Sequence, residues 1–295
     1  MKSFNIKKIL IPVDFSETSL LAFEHGSFMA KLFKADLMLV HVITKKYLEQ
    51  NVLLPKTKIE NIDKIIKIAE SKIDEISKTI LKKYGVQSTV SVVIGKVSSE
   101  IVSLAKKNKA DVIVMGTHGA SGFEEYFIGS NAARVVIESH CPVISIQANA
   151  KKIGFKKILL PVDNSITSRQ KVEQAMVLAE HYGSKIYVLG LLTDDESEHR
   201  KTFELKIQQM KEYFEKHDIS CNTKIAKSSN HGKRTIMYAD EIGADLTVVM
   251  TEQEIDASEI FIGPTAQKIV NHSKIPVMSI RPTGVAAGGF HNNPV

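Results

Sequence analysis

The chain repeats itself, and this duplication constrains its fold more than any other feature. Three segments of the first half recur in the second half in the same order and at similar separations. They are KKILIPVDFSETS and KKILLPVDNSITS, from Lys7 and Lys156; ADVIVMG and ADLTVVMT, from Ala110 and Ala244; and CPVISI and IPVMSI, from Cys141 and Ile275. A duplication of this length predicts two domains with one fold. With 295 residues, each half is long enough to bury its own core.

Apolar runs alternate with helical periodicity in the first half. The runs are continuous and rich in Val and Ile, which is typical of strands covered on both faces. They predict strands at 9–13, 37–42, 89–94, 112–115 and 143–146, with helices at 18–33, 59–84, 98–108 and 131–139. We expect Gly85 to end the long helix and Ser98 or Ser99 to cap the next one.

The second half shows the same alternation in shorter pieces. Its predicted strands lie near Lys157, Ile186, Asn222, Leu246 and Val277. Strand and helix in alternation predict an α/β fold in each half, with a five-stranded parallel sheet flanked by helices. A polar connector at 147–155 separates the halves. We therefore predict domains at 1–148 and 154–282, followed by a mobile glycine-rich tail at 283–295.

Composition excludes several classes of protein. No apolar run approaches the length of a membrane span, the first residues do not resemble a secretory signal, and two cysteines build no disulfide framework. These features predict a cytoplasmic protein that has no membrane partner. The net charge of +6 comes mostly from scattered lysine pairs, which indicates a solvated surface and no nucleic-acid partner.

The most informative segment is VMGTHGASGFEEYFIGSNAARVV, which begins at Val114. Gly116 and Gly119 follow a predicted strand, and Gly129 and Ser130 precede a predicted helix. Glycines let backbone N–H groups approach a phosphate without interference from a Cβ atom. A helix N-terminus also favours an anion, to which the Ser130 hydroxyl can donate. The segment therefore predicts a phosphate site.

Asp14 complements this segment because it follows the first predicted strand. A carboxylate at such a strand end can accept hydrogen bonds from ribose hydroxyls. Two structural interpretations remain open. The glycines can simply form a turn, and Asp14 with Ser16 can simply cap the first helix.

The residues PVDFS from Pro12, VHV from Val40, and the spaced glycines followed by Ser130 resemble the universal stress protein family. The whole chain resembles its tandem, two-domain form. The resemblance implies Rossmann-like domains of the adenine nucleotide alpha hydrolase type, and ATP as the ligand, with accompanying magnesium left open. It also implies that the two halves pair through 143–146 and 277–280 as an intramolecular pseudo-dimer. A further homodimer of the two-domain chain is left open.

The resemblance also implies roles for individual residues. Asp14 would contact the ribose, and Val42 would lie at the adenine with Pro12 and Val13. The ribose and phosphates would be held by Met115, Gly116, Gly119, Gly129, Ser130 and Asn131.

The second copy keeps Asp163 at the place of Asp14 but loses the glycines. We align Thr251 with Gly116, Glu254 with Gly119 and Pro264 with Ser130, and we expect the segment before Gly263 to be one residue shorter. Pro264 lacks an N–H group, and the added carboxylates would repel phosphate. These carboxylates are Glu252, Glu254, Asp256 and Glu259. The sequence thus predicts one nucleotide site per chain.

The sequence offers no catalytic machinery beside this site. No base and nucleophile pair adjoins the glycines, and the phosphate-loop signature is absent, so we assign no catalytic residue and no metal ligand. The prediction is an ATP-binding regulatory protein of the stress response with little or no hydrolysis. Two alternatives stay open: a slow ATPase, and a binding module for a different ligand such as a flavin or lipid.

Overall fold

The computed structural model describes residues 4–51, 58–117, 128–165, 167–193, 197–251 and 262–282. The chain divides into two compact units. The first unit is Ile6–Ile153, and the second is Gly154–Val295 together with Met1–Asn5. Within the described ranges, no helix has the length and apolar character needed to cross a membrane.

The first unit is a parallel α/β structure, as predicted. Its strands are β1 (Lys8–Pro12), β2 (Asp36–Ile43), β3 (Ser88–Ile94), β4 (Val112–Gly116) and β5 (Val143–Ile146). Its helices are α1 (Glu17–Phe33), α2 (Lys45–Asn51), α3 (Lys58–Tyr84), α4 (Val97–Asn108) and α5 (Ser130–Glu138). The strands pair in the order β3-β2-β1-β4-β5, every pair parallel. Leu10 and Ile11 in the central strand are fully buried, as expected for a sheet covered on both faces.

Local signals account for most of the helix ends. Ser16 caps α1 by accepting a hydrogen bond from the Ser19 N–H, and Gly85, with a φ of 69°, follows α3 as predicted. The predicted serine cap of α4 is wrong. The helix begins at Val97, its N-cap residue is Lys96 without a side-chain cap, and Ser98 is fully buried in its first turn. The short helix α2 was not predicted.

The second unit repeats the architecture. Its strands are β6 (Lys157–Val162), β7 (Lys185–Leu192), β8 (Cys221–Lys227), β9 (Leu246–Met250) and β10 (Val277–Ile280). Its helices are α6 (Val172–Tyr182), α7 (Ser197–Glu215), α8 (His231–Ile242) and α9 (Pro264–His272), and a short 3₁₀ turn at Thr167–Arg169 precedes α6. The parallel order is β8-β7-β6-β9-β10, which matches the first unit.

The sheet register corrects our alignment of the two copies. Met250 pairs with Ile280 of β10 as Gly116 pairs with Ile146 of β5. The backbone N–H and hydroxyl of Thr251 both donate to the Ile280 carbonyl, which is what Thr117 does to Ile146. Thr251 is therefore the counterpart of Thr117, and Met250 replaces Gly116.

The connecting segment is also not shorter in the second copy. Gly129 and Gly263 are the N-caps of α5 and α9. Gly263 follows Met250 at the same distance along the chain as Gly129 follows Gly116, so the two segments have equal lengths. The interior of both segments, including Gly119 and Glu254, lies outside the described residues, as does the predicted tail at 283–295.

The strand order positions a crevice in each unit. In the first unit the chain moves from β1 outward to β2 and β3, and then returns to the other side of β1 with β4 and β5. The carboxyl ends of β1 and β4 therefore lie at the topological switch point, where parallel sheets of this kind bind ligands.

Candidate functional site

A cavity of about 220 Å³ lies in the first unit at the carboxyl ends of β1 and β4. Nine of the ten predicted site residues line it: Pro12, Val13, Asp14, Val42, Met115, Gly116, Gly129, Ser130 and Asn131. The tenth, Gly119, is outside the described residues. Segments that are far apart in sequence thus converge on one space.

Six further residues line the cavity that the sequence analysis did not assign: Ser19, Val40, Val97, Ile101, Thr117 and Ala132. Val40 and Val42 come from β2, and Val97 and Ile101 come from the first turns of α4. Together these four form an apolar wall, which is the kind of surface that binds the faces of a flat ring. The sequence signal for α4 was its apolar periodicity, but periodicity does not show which strand end a helix adjoins.

Asp14 is exposed and lies two residues beyond the end of β1. Its Oδ1 accepts hydrogen bonds from the Ser16 backbone N–H at 3.0 Å and from the Ser16 hydroxyl at 2.6 Å. The Ser16 hydroxyl in turn accepts from the Ser19 N–H at 3.2 Å. Asp14 therefore takes part in capping α1, as one structural interpretation held. Both bonds use a single oxygen of a group with about four acceptor positions, so capping and ligand binding are compatible.

The turn after β1 is held by contacts with β2. The Val13 N–H donates to the Val40 carbonyl at 2.8 Å, and the Val13 carbonyl lies 2.7 Å from Nδ1 of His41. Phe15 adopts a φ of 66°, a left-handed conformation that costs a residue with a Cβ about 1–2 kcal/mol. Its ring centroid lies 4.9 Å from that of His41, a contact that offsets part of this cost.

The structure explains the glycine at position 116 by packing, whereas the sequence analysis explained it by phosphate binding. A Cβ atom at this position would lie 2.9 Å from Cγ2 of Thr18 and 3.0 Å from the Thr18 carbonyl carbon. The end of β4 therefore packs directly against the first turn of α1. Glycine is needed here so that α1 can pack closely against the end of β4. This packing places Asp14, which precedes α1, at the same cavity as Gly116.

Gly129 and Thr117 join the two ends of the segment between β4 and α5. The Gly129 N–H donates to the Thr117 carbonyl at 2.7 Å, and a Cβ on Gly129 would lie 3.0 Å from that oxygen. Thr117 is itself anchored to the Ile146 carbonyl. The entry to α5 is thereby fixed relative to the sheet.

The N-terminus of α5 faces the cavity through Ser130, Asn131 and Ala132. Gly129 provides no side-chain cap, and the first N–H groups of a helix have no intrahelical acceptor. The helix dipole places partial positive charge at the same end. Backbone donors, the Ser130 hydroxyl and this charge make the region suited to an anion such as phosphate.

The equivalent cavity of the second unit is much smaller, at about 40 Å³. Asp163 makes the same hydrogen bonds as Asp14, accepting from the Ser165 N–H at 3.0 Å and the Ser165 hydroxyl at 2.7 Å. Burial raises the pKa of Asp163, but the Ser165 hydrogen bonds and the positive charge of Lys171 outweigh burial and hold it below its usual value. The helix N-terminus also differs, because α9 begins with Pro264, which has no N–H group to donate.

The two thiols are structural. Cys141 and Cys221 are buried, and burial raises the pKa of Cys141 to about 11 and that of Cys221 to about 12. A thiolate is the reactive form, so neither group is activated at neutral pH.

Comparison with known proteins gives a consistent result for both halves. The family model described as "Universal stress protein family" matches residues 5–147 and again residues 154–281. The universal stress proteins MJ0531 and MJ0577 of Methanocaldococcus jannaschii are 35% and 29% identical to the chain, over 147 and 154 residues. These alignments cover 50% and 48% of this chain, and 85% and 94% of the two relatives.

A solved structure resembles the chain over nearly its whole length. The crystal structure of a universal stress protein from Archaeoglobus fulgidus has a TM-score of 0.73 at 19% identity. The match covers 96% of this chain and 98% of the other. At this level of identity the likeness concerns the fold.

Proposed function

The chain belongs to the universal stress protein family, and on that premise we propose that its first unit binds ATP in the cavity between β1 and β4. The observation that carries the proposal is the convergence of nine sequence-predicted residues on one cavity at the switch point of the sheet. The activity proposed is regulatory binding in a stress response.

Each part of the cavity suits one part of ATP. The apolar wall of Val40, Val42, Val97 and Ile101 suits the faces of the adenine ring. The Asp14 carboxylate suits the ribose hydroxyls, which are hydrogen-bond donors. The N-terminus of α5 with Ser130 suits the phosphates.

We further propose that hydrolysis is slow or absent. Among the described residues that line the cavity, Asp14 is the only ionisable side chain. It is already engaged with Ser16, and its proposed partner is the ribose. A general base must reach the water that attacks the terminal phosphate, and the described lining offers no second group for that role.

The second unit is proposed not to bind ATP. Its cavity is smaller, Met250 stands where the first unit has Gly116, and Pro264 removes a backbone donor from the helix N-terminus. Each difference removes space or hydrogen bonding that a nucleotide would need.

A matched pair of variants, Asp14→Ala and Asp163→Ala, tests the proposal, because Asp14 and Asp163 each accept hydrogen bonds from the N–H and hydroxyl of the serine two residues later. Both substitutions remove two hydrogen bonds to a charged acceptor and should lower stability, and Asp163→Ala should lower it more because it also removes the negative charge beside buried Lys171. Only Asp14→Ala should also weaken ATP binding, by roughly 10- to 150-fold, which corresponds to about 1.5–3 kcal/mol for hydrogen bonds to a charged group. Calorimetric titration of the full chain measures both variants.

The outcomes are distinct. One ATP per chain, with affinity lost in Asp14→Ala and kept in Asp163→Ala, supports the proposal. Equal losses in both variants, or no ATP bound by the unaltered chain and none released from freshly purified protein, would contradict it.

A further inference from the structure

The small cavity of the second unit is filled by side chains that the first unit lacks. Lys171 and Met250 both line it, and they are only 2% and 7% exposed. Their counterparts in the first unit are Ala22 and Gly116, which are the two smallest residue types. The remaining volume of about 40 Å³ accommodates only about three water molecules.

The change at Gly116 is coupled to the shape of the neighbouring helix. A Cβ in place of Gly116 would collide with Thr18 in the first turn of α1, at 2.9 Å from its Cγ2. In the second unit the corresponding residue, Thr167, lies in a 3₁₀ turn, and α6 begins only at Val172. A later helix start is what a larger residue at the end of β9 requires.

This later start places Lys171 immediately before the first residue of α6, as its N-cap. Its Nζ lies 3.5 Å from the Ser168 hydroxyl, which also accepts the Asp163 N–H at 3.0 Å. A buried ammonium group is costly unless a negative charge lies near it, and the positive charge of Lys171 interacts with Asp163, whose pKa it helps to lower. The ammonium therefore belongs to a polar cluster made of Asp163, Ser165 and Ser168.

We propose that Lys171 determines which half of the chain binds nucleotide: its ammonium neutralises Asp163 and, with the Met250 side chain, occupies the space that a nucleoside takes in the first unit. The proposal rests on the proposed function of the first unit. It identifies a self-occupied site in the second unit, distinct from the loss of the phosphate-binding glycines.

Adenosine is the appropriate probe because it has no phosphates, so Pro264 and the carboxylates after Thr251 do not oppose it. Equilibrium dialysis of the full chain counts adenosine molecules bound per chain. We expect one for the unaltered chain and one for Met250→Gly, in which Lys171 remains. The double variant Lys171→Ala/Met250→Gly should bind one more, and adding Asp163→Asn should reduce its second-site affinity at least tenfold.

Several results would overturn the proposal. Met250→Gly alone binding an additional adenosine would show that Lys171 is not the determinant. A folded double variant that binds no more than the unaltered chain would show the same. If the unaltered chain binds neither ATP nor adenosine while the double variant binds one adenosine, the proposed function of the first unit fails, and only the self-occupied site of the second unit is supported.

A second measurement covers the case in which the double variant does not fold. Lys171→Met removes the charge but keeps most of the volume, and should lower the thermal unfolding midpoint because Asp163 loses its counter-charge. Adding Asp163→Asn to Lys171→Met should raise the unfolding midpoint again and recover most of the decrease. If the effects of the two substitutions simply add, Lys171 and Asp163 are not paired and the proposal is refuted.

Discussion

Gly116→Ala adds one methyl group at the end of β4, and the surrounding distances determine its effect. The new Cβ would lie 2.9 Å from Cγ2 of Thr18, 3.0 Å from its carbonyl carbon and 3.1 Å from its carbonyl oxygen. The Cγ2 atom can rotate away, but the backbone atoms of a helix cannot. The first turn of α1 must therefore move away from the strand.

The magnitude follows from the cost of overpacking. Inserting a methylene into a well-packed region typically destabilises the folded state by about 1–3 kcal/mol. Alanine also makes the unfolded chain less flexible than glycine does, which stabilises the protein by about 0.4–1 kcal/mol. We expect a net loss of about 1–2 kcal/mol in the free energy of unfolding. In a domain of this size, 2 kcal/mol lowers the melting temperature by roughly 4–8 °C. ATP affinity should fall as well, because the displaced turn carries Ser19 and the cap that positions Asp14.

Thermal and urea unfolding of the full chain, with and without ATP, measure this effect. Gly232→Ala in α8 is a useful comparison, because its added Cβ would lie 3.0 Å from the Cβ of Lys268, a side-chain atom rather than a backbone atom. That variant should lose less stability than Gly116→Ala, since the higher helix propensity of alanine offsets part of the crowding. An unchanged or raised midpoint in Gly116→Ala would refute the argument that this glycine serves helix packing.

Three further predictions address catalysis, pH and the pairing of the halves. Steady ATP hydrolysis should stay below roughly one turnover per second, and a faster rate in a phosphate-release assay would reveal an unrecognised catalytic group. Burial lowers the pKa of His25 below its usual 6.5, despite opposing contributions from the Ala150 carbonyl and Glu24. The unfolded chain therefore takes up a proton at a higher pH than the folded chain does, and stability should decrease as pH falls below about 6.5. His25→Gln, the residue found at the corresponding position 174, should flatten that dependence in unfolding measured between about pH 7.5 and about pH 5. Residues 1–150 expressed alone should dimerise or aggregate if the final strands of the two halves pair, and a stable monomer in light scattering would contradict that pairing.

The sequence was sufficient for the architecture because its signals are local or repeated. Continuous Val- and Ile-rich runs identified the strands to within one or two residues, and Gly85 correctly predicted the end of α3. Asp14 and Gly129 could be assigned to one site because parallel strands place their carboxyl ends at one edge of a sheet. These inferences need only the order of elements along the chain.

Other features depend on contacts between distant segments, and sequence patterns do not encode them directly. Ser98 is a good capping residue by type, but packing buries it in the first turn of α4. Val97 and Ile101 line the cavity only because α4 adjoins the end of β2. No local pattern distinguishes such helix residues from other residues of a buried face.

The repeat itself determined that the chain has two copies of one fold, and the spaced glycines determined where a nucleotide site was to be sought. Tertiary structure decided which residues are equivalent between the copies. Pairing Thr251 with Gly116 or with Thr117 differs by one position, and the strand register and the hydrogen bonds from Thr251 to Ile280 resolve the choice. The same register explains the asymmetry, because a side chain at the end of β9 is incompatible with a helix start like that of α1, and the altered start brings Lys171 into the cavity. Strand register and side-chain burial are set by long-range packing, which the order of residues along the chain does not show.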